Sequence, residues 1–180
     1  MPFLLNPVMN GEMSESKAGS PEKQVNDSDI KWLWKRFQEL TTKELYEVMK
    51  LRQKVFVVEQ NCAYLDLDDR DNEADHLLVS GKEELLGYLR VTPAGTRFTE
   101  YSIGRVVTHP KVRGSGMGKA MTKRAIQYIQ DVHGDQPIRI SAQSYLENFY
   151  TSFGFKRLGK EYDEDGIPHI EMLYEPTTSG

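Results

Sequence analysis

The stretch Val106-Val-Thr-His-Pro-Lys-Val-Arg-Gly-Ser-Gly-Met-Gly-Lys-Ala-Met121 decides how the rest of the chain is organised. An apolar run ends in a glycine-rich turn, and a helical pattern begins inside that turn. Gly114, Gly116 and Gly118 leave backbone N–H groups open to an anion, and a helix starting there adds its partial positive end. Arg113 and Lys119 bring charge to a turn completed by Ser115 and Met117. The same glycine spacing also serves as a plain strand-to-helix connection. A magnesium-binding P-loop is not supported, because Ala120 follows Gly118-Lys119 where a Ser or Thr is required. A dinucleotide fingerprint belongs on the first strand of a βαβ unit, whereas this turn comes late in the chain.

The flanking sequence predicts one domain over residues 30–175. Between Lys31 and Phe37 aromatic and polar residues alternate as in a strand with one buried face, with Trp32, Leu33 and Trp34 helping to found the core. Thr41, Thr42 and Glu44 form a capping signature before Leu45, Val48, Met49, Arg52, Val55 and Phe56, so a helix is expected to about Val58. Two strands flank Gly81-Lys82, a third runs over 99–108, and a helix over 115–133 turns Met121, Ala125, Ile126 and Ile129 inward. A strand at 137–142, a short helix at 145–152 and strands at 155–158 and 169–174 follow. This order predicts an α/β (α+β) fold, a mixed sheet with helices on its faces.

Composition narrows the function. With a net charge of −4 the 180-residue chain has no global basic field to recruit nucleic acid. No apolar run reaches the roughly 20 residues of a membrane helix, and residues 1–8 are too short and uncharged for a signal peptide. A soluble cytoplasmic protein is therefore expected, with no nucleic-acid or membrane partner. Residues 1–29 are nearly devoid of large apolar side chains after Val8 and are expected to be disordered, as is the tail 176–180. Cys62 is the sole cysteine, so no internal disulfide forms, and core filler is its expected role.

Two motifs lie in a telling order: Arg113-x-x-Gly116-x-Gly118 at the head of a helix, then Phe149-Tyr-Thr-Ser-Phe-Gly-Phe155. Together they resemble the GNAT superfamily of N-acetyltransferases. The segment Leu51-Arg-Gln-Lys-Val-Phe-Val-Val-Glu-Gln-Asn-Cys-Ala-Tyr-Leu-Asp-Leu-Asp68 and the strand Ser102-Ile-Gly-Arg-Val-Val107 are similar to the ElaA branch of it. The resemblance spans Trp32 to about Tyr174. It implies a mainly antiparallel central sheet with one splayed strand pair, and acetyl transfer from acetyl-CoA to a primary amine of a small molecule or peptide, in a ternary complex and without a metal. It further implies that Arg113, Gly114, Ser115, Gly116, Met117, Gly118 and Lys119 hold the pyrophosphate. Main-chain groups of Val106, Val107 and Thr108 would meet the acetyl and pantetheine portions, and Tyr150 would act as general acid on the sulfur. Gln143 stands where many relatives carry a cofactor-binding Asn, and its amide can make similar bonds. A homodimer stays an open alternative.

An alkyl ammonium has a pKa near 10.4, so the amine must lose a proton before attack. No glutamate occupies the strand Pro137–Ala142, where some branches keep the base. Glu59 and His76 are the candidates, with Glu100 and the loop aspartates Asp66, Asp68, Asp69 and Asp71 behind them. Glu59 reads equally as a surface or cap residue, His76 as a structural histidine, the aspartates as a solvated loop or an amine-binding cluster, and His109 as a turn residue. Arg52, Asp66, Asp69, Arg90 and the pair Glu100 and Arg105 also faintly resemble acyl-homoserine lactone synthases, which share the fold. A coenzyme A-binding module without turnover is the non-enzymatic alternative.

Overall fold

The computed structural model describes residues 29–176. Apart from Asp29 and Pro176, the two expected tails lie outside the described residues. Four antiparallel strands form the first sheet in the order β1 (Lys31–Arg36), β2 (Asp75–Ser80), β3 (Leu85–Thr92), β4 (Ser102–Thr108). A second antiparallel sheet has the order β5 (Ile138–Gln143), β7 (Ile167–Tyr174), β6 (Lys156–Glu164). The helices are α1 (Thr42–Arg52), α2 (Met117–His133) and α3 (Glu147–Thr151).

β3 is buried along its whole length because helices cover both faces of the first sheet. The period of two in the strands divides their side chains accordingly. Leu78, Tyr88 and Val107 pack with Val48, Leu51 and Val55 of the first helical segment. Leu77, Val79, Leu89, Val91 and Ile103 instead join Met121, Ala125 and Ile129 of α2. Each such large apolar side chain contributes roughly 1.5–3 kcal/mol by leaving water. At Gly87 a Cβ would lie 2.7 Å from Met121 Sδ, so α2 packs closely on β3 at this glycine and a side chain there would have to displace the methionine. Trp34 stacks on Tyr128 of α2 with ring centroids 3.8 Å apart, and the Arg124 guanidinium lies 4.4 Å over Trp32. Leu33 departs from expectation and is 40% exposed. It lies on the α1 side of the edge strand β1, and α1 packs on β3 and β4.

The capping box forms as the sequence predicts. Thr41 Oγ1 accepts the Glu44 N–H at 3.2 Å, and Glu44 Oε2 accepts the Thr41 N–H at 2.8 Å. Beyond Arg52 the helix widens into a π-helix over Gln53–Glu59, ending in bonds from Gln60 N–H to Val55 O (3.2 Å) and from Cys62 N–H to Val57 O (3.1 Å). Such wide turns are rare and cluster at functional sites.

β4 and β5 run parallel and meet at one place, the bridge between Tyr101 and Ile138, where the Arg139 N–H donates to Tyr101 O at 2.8 Å. Beyond it the two sheets part. β4 also carries a bulge. Gly104 pairs with Arg90 and Val107 with Tyr88, so Arg105 and Val106 both oppose Leu89, and Arg105 takes φ 53°. The C-terminal half of β4 thus has a partner strand on one edge only, among the described residues.

Candidate active site

The splay opens a cleft of about 590 Å³. Val106, Val107 and Thr108 of β4 form one wall and Ser141, Ala142 and Gln143 of β5 the other. The π-helical turn supplies Val55, Phe56, Glu59 and Gln60, which its wider winding brings to one side. Tyr150 of α3 completes this end.

The glycine turn adjoins the cleft at Arg113. Gly114 and Gly116 take φ 78° and 87°, a region open to glycine, and Gly116 is the N-cap of α2. No heavy atom lies within 4 Å of the space a Cβ would occupy at either residue. The N–H groups of Met117, Gly118 and Lys119 belong to the first helical turn, where donors lack intrahelical partners. Ser115 turns its hydroxyl back to Val112 O at 2.7 Å. Lys119 is exposed. The arrangement suits an anion held by main-chain donors.

Tyr150 is 7% exposed and packs edge-on against Phe149 and Phe155. Burial pushes its phenol pKa up, so the hydroxyl stays protonated and able to donate at neutral pH. Gln143 donates to Gln60 Oε1 at 3.2 Å, tying β5 to the π-helical turn.

Two residues expected as bases are not built for that role. Glu59 is not buried: its carboxylate accepts from Arg113 Nη1 at 2.6 Å and Nη2 at 2.9 Å. The Arg113 hydrogen bonds hold this carboxyl below its ordinary pKa, the reverse of what partial burial would do. His76 is 1% exposed and does not line the cleft. Its Nε2 faces Asp71 O at 3.0 Å and its Nδ1 faces the Tyr88 hydroxyl at 2.8 Å. Both ring nitrogens are occupied, and burial lowers its pKa. The imidazole is therefore a neutral structural link.

The aspartate loop is not an amine trap. Asp66 meets Arg52 Nε at 2.8 Å and Arg105 Nε at 2.7 Å, Asp71 meets Arg52 and Arg90, and Asp68 meets Arg70, Arg90 and Arg105. Arg52 and Arg90 are almost wholly buried, so these carboxylates are their counter-ions. Burial works to raise the Asp68 and Asp71 carboxyls, but the arginines outweigh it and hold both low. Asp69 takes φ 61° outside this network. Glu100 lies 3.9 Å from Arg139 and not beside Arg105. His109 caps a turn, accepting the Lys111 N–H at 3.3 Å. Cys62 is buried, lines the cleft, and donates its thiol to Asp165 O at 3.3 Å.

The far wall escaped the sequence reading. Ser141, Tyr162 and Glu164 bond to one another, and Arg97 reaches Glu164 at 3.0 Å from the loop before β4. Burial pushes the Glu164 carboxyl up, but Ser141 and Arg97 hold it low. His169 of β7 lines the same wall, with Nδ1 2.8 Å from Ile167 O. Alternation along each strand hints at a shared face, but only the order β5-β7-β6 brings these residues together. Among the described residues no group of three or more His, Cys, Asp or Glu could hold a metal ion, and no helix is long and apolar enough to cross a membrane.

Residues 35–176 match the family model of the acetyltransferase (GNAT) domain. A Synechocystis protein designated UPF0039 is 39% identical over 153 residues, covering 84% of this chain and 99% of that protein. An acyl-CoA N-acyltransferase from Pseudomonas aeruginosa is similar in structure, with a TM-score of 0.77 at 38% identity over 81% of this chain and 99% of its own. Escherichia coli ElaA gives a TM-score of 0.76 at 36% identity, with the same shares covered.

Proposed function

This chain belongs to the acetyltransferase (GNAT) family, and from that premise we propose that it moves an acetyl group from acetyl-CoA to a primary amine by direct attack in a ternary complex. The observation that carries this reading is the free inner edge of β4. Val106, Val107 and Thr108 border the cleft where β5 has diverged, between the glycine turn and Tyr150. A pantetheine arm can pair with such an edge as an added strand, and main-chain N–H groups there can stabilise negative charge developing on the carbonyl oxygen. The glycine turn and the N-terminus of α2 suit the pyrophosphate.

Tyr150 supplies the other requirement, a proton donor for the departing sulfur. Burial keeps its hydroxyl protonated and so present as a donor to the developing thiolate, with the phenol reprotonated as the amide nitrogen sheds its proton. Arg113 and Lys119 are secondary to main-chain donors, the first because Glu59 already holds it. The acceptor is a small-molecule or peptide amine.

Calorimetry with acetyl-CoA, together with free-thiol release across polyamines, amino sugars and peptide amines, tests this reading. Saturable binding with thiol release that depends on an amine is expected. Binding without release to any amine would favour a non-catalytic module, and transfer from an acyl-carrier protein alone would favour the lactone-synthase alternative.

A further inference from the structure

We infer that His169 is the general base that takes the acceptor's proton, an inference that rests on the acetyl-transfer reading above. His169 lies on β7 opposite Gln143, the last residue of β5. That end of the second sheet is remote along the strand from the Tyr101–Ile138 bridge, so His169 stands where the splay is open. It lines the cleft that also receives Tyr150 and Val106.

The hydrogen bond to Ile167 O selects the tautomer. A carbonyl oxygen accepts only, so Nδ1 carries the hydrogen and the lone pair resides on Nε2. Among the described residues no hydrogen bond engages Nε2. Three other carboxylates of the cleft are already paired. Arg113 holds Glu59, three arginines surround Asp68, and Ser141, Tyr162 and Arg97 hold Glu164. Tyr64 donates its hydroxyl to Asp66. Asp165 is an exposed carboxylate at the β6–β7 turn with φ 55°. Glu164 on the adjoining strand also feels His169, and the Tyr162 ring lies 6.2 Å from the imidazole.

The proton balance is simple. Nε2 removes one proton from the ammonium, and the freed nitrogen lone pair forms the C–N bond to the acetyl carbonyl carbon. The C–S bond breaks with its pair going to sulfur, which takes the Tyr150 hydroxyl proton. The amide nitrogen sheds its second proton, restoring the phenol, and the imidazolium later releases its own to solvent.

The test compares His169→Gln and His169→Asn with the unaltered chain, using acetyl-CoA and primary amines of graded pKa. The expected result is a kcat lowered about 10²-fold at neutral pH, as for loss of a general base, with acetyl-CoA affinity by calorimetry unchanged. The deficit should shrink at high pH and for amines of low pKa, which need no base. Unchanged kcat, or a deficit independent of pH and amine pKa, would overturn the inference while leaving acetyl transfer intact. Nitrogen NMR of the unaltered protein gives a test independent of how the variants fold: the Nδ1–H tautomer is expected, and Nε2–H overturns it. If the unaltered chain binds acetyl-CoA but acetylates no amine, the transfer reading fails and the assignment with it.

Discussion

Glu59 and Arg113 are joined by two charge-assisted hydrogen bonds, of 2.6 and 2.9 Å, linking the end of the π-helical turn to the head of the glycine turn. Both side chains are more than a third exposed, so the pair stabilises the fold little. Its consequence is for the ligand, because an arginine held by a carboxylate is less available to a phosphate. Glu59→Gln should therefore lower the KM for acetyl-CoA or leave it within about threefold, with kcat nearly unchanged, as an exposed pair warrants. Steady-state kinetics at fixed amine checks this. A fall in kcat of about 10²-fold would return Glu59 to the role of base.

Removing the phenol hydroxyl isolates the other half of the chemistry. Tyr150→Phe keeps the ring against Phe149 and Phe155, so acetyl-CoA binding and thermal stability should hardly change. Under the acid assignment kcat should fall by about 10²- to 10³-fold. Equal kcat for the two proteins would leave Tyr150 a packing residue.

The elements that sequence revealed are those set by local chemistry. The capping box at Thr41 and Glu44, the inner face of α2 and the glycine turn each depend on residues a few positions apart. Where the pattern misled, a distant partner was responsible. Asp66 and Asp68 read as a solvated loop or an amine-binding cluster because their counter-ions Arg52, Arg90 and Arg105 lie on three other elements. Glu59 read as a candidate base or as a surface or cap residue, because its partner Arg113 lies 54 positions away on another element. His169 read as the first residue of the last strand, and only the pairing of β7 with β5 places it in the cleft.

Gly116 tests the turn. At φ 87° a side chain has free space but a strained backbone, so Gly116→Val should cost about 1–3 kcal/mol of local strain and displace the N–H groups that cap α2. The KM for acetyl-CoA should rise about tenfold, equivalent to about 1.4 kcal/mol of binding, while the KM for the amine stays nearly constant. An effect on the amine alone would remove the turn from the coenzyme A site.

The buried charge network predicts how stability falls with acid. Asp68 and Asp71 have folded-state pKa values below their unfolded ones, because burial, which acts upward, is outweighed by Arg90, Arg52 and Arg105. Their stabilisation is fully present above the unfolded value near 3.9 and is lost as pH falls through the lower folded values. His76 adds an earlier step. Burial depresses its folded pKa, so the unfolded chain takes up a proton first, near pH 6.5, and stability declines from there. Urea unfolding should accordingly show a first loss below about pH 6.5 and a steeper one below about pH 4. Asp68→Asn leaves the Arg90 guanidinium, 3% exposed, with Asp71 as its one remaining carboxylate partner, at 2.7 Å. It should cost up to about 3 kcal/mol at pH 7, the low end of the range for breaking a buried pair because Asp71 still faces the guanidinium, and flatten the loss below pH 4. A variant as stable as the parent at pH 7, with the same acid slope, would show that the network does not hold the loop against β4.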